Sequence, residues 1–360
     1  MTMLSALDPV LRLKLSLLTG NYIKVSEGLL KQSDEKGLPL SRIIRTDNIY
    51  TCPWIFLRLS KTSRVRMVVV PESAPFELCI ARSETNRYDI LDSETRSLVA
   101  SGLELEEVLH HCPKQLFYNL YKFCFMDCKF CPLPITPRWS RDTLGKMLQD
   151  LDRFKIDDID GIGFTAGIPA HLSGNKVALE MARLVKAIRV KIGPDIPIGV
   201  SPMHPSREVL VMLKASGANE VRINLEVFNF DLAKLLMTGK DPEDTLLSIA
   251  DAVEIFGRGK VSSNLILGIG ETDDDVIAGV VELAKLGAIA TLYPWDPVPE
   301  REEELSALTN GRAGRPNAER LWKLAKEHKR ILGQYDLDPK SLKTMCPACG
   351  ASHIMPSLDF

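Results

Sequence analysis

From about residue 115 onward, short runs of apolar and β-branched residues alternate with longer stretches whose apolar positions recur every three or four residues. The first pattern suits strands and the second amphipathic helices. It predicts strands over 116–123 (LFYNLYKF), 160–167 (DGIGFTAG), 196–202 (IPIGVSP), 219–227 (NEVRINLEV), 260–270 (KVSSNLILGIG) and 288–295 (AIATLYPW). Helices are predicted over 140–154, 175–192, 206–216, from the fourth strand to about 256, and over 272–286. Such strict alternation implies parallel strands joined by right-handed crossovers, in an open sheet or a barrel.

The polar residues choose between these two. Cysteines at 124–131, then TAG, SP, NLE and GIGE, all fall at the C-terminal ends of predicted strands. An α/β barrel gathers its site at that face, whereas an open sheet concentrates it at one switch point. The expected fold is therefore α/β, a partial (β/α)6 TIM-like barrel over 111–312. Residues 1–110 form an N-terminal α+β module, in which helical pieces precede a β-rich meander over 51–83. Residues 313–360 hold a helix over 317–335 and a short tail with Cys346 and Cys349.

Composition narrows the class. The 360 residues carry a net charge of -2 and are 45% hydrophobic, which gives no reason to expect a nucleic-acid or membrane partner. No apolar run is long enough to span a bilayer, and the N-terminus, interrupted by Asp8, Arg12 and Lys14, resembles an amphipathic helix more than a signal peptide. The expected location is the cytoplasm, where clustered cysteines serve metals or redox chemistry rather than structural disulfides.

Cys124, Cys128 and Cys131 form C-x3-C-x2-C in FCFMDCKFCP. A cubane iron–sulfur cluster normally takes four protein ligands, so three from one loop leave one iron open to a ligand. Zinc held by these three and a remote fourth donor is the alternative. With Phe130 before its last cysteine, the motif resembles the signature of the radical S-adenosylmethionine superfamily, and the resemblance spans roughly 115–310. It implies a [4Fe-4S] cluster whose open iron is chelated by S-adenosyl-L-methionine. One electron, from a donor such as ferredoxin or flavodoxin, cleaves the sulfonium and yields a 5′-deoxyadenosyl radical that abstracts hydrogen from an unactivated carbon.

The resemblance also places the cofactor's other contacts. FTAGIP occupies the position of a Gly-Gly-Glu-like turn, with Ile168 where a glutamate is common, so contact to the methionine amino group falls to the carbonyls of Thr165, Ala166 or Gly167. Ser201 reaches the ribose or carboxylate, or else caps the next helix. Asn224 and Glu226, in RINLEV, resemble the NLET run of lipoyl and biotin synthases, and LILGIGETDDDV resembles a lipoyl synthase pattern too. Gly268 and Gly270 would let the backbone approach the adenosyl group. Glu271, Thr272 and the acidic run after them also suit a helix start.

The tail, MCPACG, aims two thiolates at one centre, and Cys112 is the first choice for a third, ahead of Cys52, Cys79, Ser352 and His353. An auxiliary iron–sulfur cluster, structural zinc and a free dithiol all fit this pattern. In lipoyl synthase-like enzymes the second cluster donates sulfur, turning C–H into C–S. The chain lacks the N-terminal C-x4-C-x5-C run and C-terminal Arg-Ser-Ser of standard lipoyl synthases, so the resemblance points instead to two-protein systems with a second radical subunit. The expected function is sulfur insertion into a small-molecule or carrier-protein-bound substrate. A carbon-skeleton or methyl-type radical enzyme with a zinc tail, and a non-catalytic iron–sulfur or zinc protein, are the competing readings. His171 and His204 sit at strand ends that could face substrate, His110 and His111 flank Cys112, and Tyr293, Trp295 and Asp296 are expected on the cavity wall.

Overall fold

The structure is a computed structural model that describes residues 3–29, 31, 54–84, 87–106, 108–109, 112–135 and 139–360. Cys52, His110 and His111 lie outside the described residues.

Helix α1 (Pro9–Gly20) begins where Asp8 accepts from the Val10 and Leu11 amides and proline stands in the first turn. It ends at Asn21, in left-handed backbone. Six strands follow: β1 (Tyr22–Val25), β2 (Trp54–Arg58), β3 (Arg64–Pro71), β4 (Leu78–Glu84), β5 (Arg87–Asp92) and β6 (Leu98–Leu105). They close into a barrel in the order β1-β3-β2-β6-β5-β4. This differs from the expected meander. β1 inserts in parallel between β3 and β4 and joins the two edges that a meander would leave open. Ile55, Leu57, Val65, Met67, Tyr88 and Ile90 fill the interior.

Six parallel strands then run in sequence order: β7 (Gln115–Asn119), β8 (Gly161–Thr165), β9 (Ile198–Ser201), β10 (Glu220–Arg222), β11 (Val261–Leu267) and β12 (Ile289–Pro294). β7 and β12 are the two edges, so the sheet is the expected partial barrel. Helices α2 (Leu144–Arg153), α3 (Gly174–Ile192), α4 (Arg207–Ala215), α5 (Phe230–Leu236), α6 (Pro242–Phe256) and α7 (Asp273–Leu286) lie between the strands in sequence; the apolar faces of all but α5 join one core with the sheet, and α5 packs in a second cluster with Phe130, Ile266 and Trp295.

The strands are shorter than their apolar runs. β7 stops at Asn119, whose amide donates to the buried Asp142 carboxylate at 2.8 Å, and the chain turns before the first cysteine. β10 stops at Arg222 because Glu226 adopts left-handed backbone (φ 68°) and rejoins β11 only through an isolated bridge to Leu265.

Helices α8 (Pro299–Leu308) and α9 (Ala318–Gln334) lead to a tail with one short helix, α10 (Met345–Cys349). The tail runs against the barrel at the N-terminal ends of its strands. Glu220, buried at the start of β10, accepts from the amides of Lys343 (2.8 Å) and Thr344 (3.0 Å) and from the Thr344 hydroxyl (2.7 Å). Gln115, at the start of β7, binds both backbone groups of Met345. A Cβ on Gly199 would stand 2.1 Å from the Thr344 hydroxyl oxygen, so the strand can pass the tail only with glycine there. Beyond α10 the tail reaches the first barrel: the Arg66 amide donates to Ala351 O, and the buried Lys14 pairs with Asp359 at 2.7 Å.

Candidate active site

The loop after β7 carries Cys124, Cys128 and Cys131 and is clamped on several sides. The Phe125 amide donates to Ile168 O, and the Ile168 amide points at the Cys124 sulfur (3.4 Å). The Gly167 amide donates to Tyr121 O, and a Cβ at Gly167 would lie 2.0 Å from the Phe123 carbonyl oxygen. Gly167 is thus required for the loop to sit down on the β8 turn. The Lys129 amide donates to Leu236 O, Trp295 Nε1 to Phe130 O, and Arg301 pairs with Asp127.

Desolvation pushes the Cys128 and Cys131 thiols up to about 12. Buried thiols of this kind lose their protons when a metal supplies compensating charge. Among the described residues no three His, Cys, Asp or Glu side chains converge as they would on one ion. Thiolates that each bind a different iron of a cubane stand farther apart than ligands of one zinc. The donor set, three sulfurs with an amide N–H already on one of them, fits an iron–sulfur cluster.

Below the loop lies a cavity of about 260 Å³. Cys131, Thr165, Ala166, Asn224 and Glu226 border it, and so do Tyr293, Trp295 and Asp296. Glu226 pairs at 3.4 Å with Lys240, whose ammonium is also near enough to favour the Cys128 thiolate. Asp296 takes Arg66 from β3 and Arg315 (2.7 Å), together with the Tyr293 hydroxyl. Burial alone would raise this carboxyl; the two guanidinium groups outweigh it and hold it below its ordinary range. Arg66, Asn119, Arg222 and Asn264 also border the cavity, and the sequence did not single them out. Their signal was available: polar residues inside otherwise apolar runs.

Several expected roles are corrected. Ser201 neither caps α4 nor stands among the cavity residues; its hydroxyl accepts from Arg222 Nε at 3.3 Å. Gly268 and Gly270 are required by a chain neighbour rather than placed at the cavity. Their φ values are 99° and 107°, and Cβ atoms there would meet Gly314 O at 2.3 Å and the Thr309 side chain at 2.6 Å. Glu271 accepts from the Gly268 and Ile269 amides and pairs with Arg320, which makes it the clasp of this turn. Thr272 closes a capping box with Asp275. His171 is exposed, and His204 is bonded to Thr245 outside the cavity with burial lowering it to about 4.

At the cavity floor stands the tail. Cys346 and Ser352 border both the main cavity and a small gap of about 20 Å³ that Cys112 and Cys349 also border. Cys112 donates to Cys349, which lowers the Cys349 thiol and raises Cys112. Arg222 Nη1 donates to Cys346 Sγ at 3.3 Å. Cys79 lies away in β4 beside Arg96, and His353 is buried near Lys14, Arg66 and His328, so neither joins this group.

A six-strand parallel barrel with a three-cysteine loop at its C-terminal face places sulfur donors over a barrel cavity. The family can be named from comparison. Residues 118–280 match the family model of the Radical SAM superfamily, a family that uses a [4Fe-4S] cluster and S-adenosylmethionine. The heme chaperone HemW of Buchnera aphidicola subsp. Schizaphis graminum is 22% identical over 151 residues, 40% of this chain and 40% of HemW. The crystal structure of methylornithine synthase (PylB) matches with a TM-score of 0.52 at 16% identity, over 68% of this chain and 71% of that one. The latter supports the fold alone. Neither relative is a biotin or lipoyl synthase, so they lend no support to that branch. No described helix is long and apolar enough to cross a membrane.

Proposed function

We propose that the chain is a radical enzyme with two metal centres on one cavity, inserting sulfur at an unactivated carbon. Cys124, Cys128 and Cys131 hold the [4Fe-4S] cluster that binds S-adenosylmethionine. Cys112, Cys346 and Cys349 hold an auxiliary iron–sulfur cluster, with Ser352 beside it. One observation carries this reading: Cys131 and Cys346 border the same cavity from opposite ends. When bound, these groups supply a hydrogen-abstracting carbon radical at one end and sulfide at the other. The chain's own residues position them. Glu226, held by Lys240, and Asn224 face the cofactor, the Thr165–Gly167 turn carries the cysteine loop, and Glu220 anchors the tail. The lipoyl-type assignment rests on the NLE and GIGE runs alone, and the charged cavity wall favours a polar group near the reacting carbon.

The test is an iron and sulfide count on anaerobically reconstituted protein, with 5′-deoxyadenosine and sulfurated product measured alongside. Cys346→Ala/Cys349→Ala should fall from about eight irons to about four and lose the sulfurated product while still cleaving S-adenosylmethionine. Equal iron counts in wild type and variant would refute the second centre. Cleavage that survives Cys128→Ala would refute the first.

A further inference from the structure

The geometry points to a seat for a free α-amino acid, or a similar small zwitterion, in the polar layer beneath the cysteine loop. This deepens the function proposed above and rests on it for the cavity's catalytic role. Strand register sets the layer: Asn119 of β7 pairs with Thr165 of β8, which pairs with Ser201 of β9, and Ser201 accepts from Arg222 of β10. Arg222 is 7% exposed, and among the described residues no carboxylate forms an ion pair with it. Its one anionic neighbour among them is the Cys346 sulfur, and a buried guanidinium with N–H groups left over is costly until they are satisfied. Ser201 and Cys346 take one N–H each, leaving three of its five donors for whatever fills the cavity it borders.

An independent observation supplies the other half of the ligand. Asn119 Oδ1 and Asn264 Oδ1 are buried and have no hydrogen-bond partner, although both residues border the same cavity. A lone amide oxygen calls for an N–H donor. A carboxylate on Arg222 and an ammonium on either amide oxygen is the pairing that these groups ask for. An aliphatic acyl chain would satisfy none of them.

The probes are the twenty proteinogenic L-amino acids, each beside its decarboxylated amine, added to the reconstituted protein with S-adenosylmethionine present. Binding is read by calorimetry and by the rise in melting temperature. At least one amino acid should bind, with its amine weaker by about tenfold or more, since hydrogen bonds to a charged group are at stake. Arg222→Met should remove that binding, Arg222→Lys should restore part of it, and Asn119→Leu should weaken it, with the affinity for S-adenosylmethionine unchanged in all three. No binding by any amino acid would overturn the inference, as would binding that survives Arg222→Met. A parallel loss of S-adenosylmethionine affinity would also overturn it, by assigning the layer to the cofactor's own methionyl group. Because binding is read without turnover, a missing auxiliary cluster or sulfurated product would count against the proposed function and leave this seat standing.

Discussion

Glu220 is the point at which the fold delivers Cys346 to the cavity, so its removal tests the link between architecture and site. In Glu220→Ala the Thr344 amide and hydroxyl and the Lys343 amide lose their acceptor. A buried donor left without a partner costs about 1–3 kcal/mol, and the Lys343 amide is only partly buried, so tail docking should weaken by about 2–4 kcal/mol. Lys260, half exposed, returns to water at little cost. The loss falls on a local opening more than on global stability, because the strands on either side keep their ladders.

The reporter is Cys349, 7% exposed, in metal-free protein treated with a small alkylating agent. When opening and reclosing are fast, labelling follows the open population. A weakening of this size multiplies the rate by about 30-fold to several hundred-fold. Glu220→Gln keeps the shape and one carbonyl acceptor and should fall between the variant and wild type. Cys124, which packs against the β8 turn, is the internal control and should label at an unchanged rate. Equal Cys349 labelling in wild type and Glu220→Ala would refute the claim that this carboxylate holds the tail in the barrel.

Other perturbations read other parts of the molecule. Gly167→Ala should displace the cysteine loop, because the added methyl meets the Phe123 carbonyl at 2.0 Å; reconstituted protein should then bind little iron at the first centre, and full iron incorporation would contradict the packing argument. Glu226→Gln should raise the dissociation constant for S-adenosylmethionine about tenfold, and an unchanged constant would leave this carboxylate with only its Lys240 contact. Burial holds the His328 imidazole at about 4 and His353 well below its ordinary value. Unfolded histidine takes up its proton first as pH falls, so stability present above about pH 6.5 should decline towards pH 4 by up to about 1.4 kcal/mol per unit for each group. Urea melts with a flat free energy across that window would show that neither imidazole is buried neutral.

The sequence shows the six-strand barrel because each strand is a short apolar run ended by polar residues, and each helix a clear three-to-four repeat. It shows the first metal loop because three cysteines lie within a few positions. It does not show the closed first barrel, since β1 is four residues long and far along the chain from its partners β3 and β4. Gly268 and Gly270 misled for a related reason: a glycine marks close approach but does not say to what, and here the neighbour is the chain at 309–314. Arg222 went unnoticed because a lone arginine in a strand resembles an exposed position until the tail is seen to cover it.

The tail therefore does more than close the barrel. Its backbone satisfies Glu220, which otherwise has only Lys260, and Gln115, both buried at the barrel's N-terminal end. Its passage requires glycine at 199, which removes a side chain from the interior and leaves that end to be filled by Thr344 and Met345. Cys346 then emerges one position further on, against Arg222 and facing the cavity that Cys131 faces from above. A catalytic floor made from the chain's last residues ties the second centre to the completed fold: the six strands can form without it, but the two cysteine groups share a cavity only when the tail has docked.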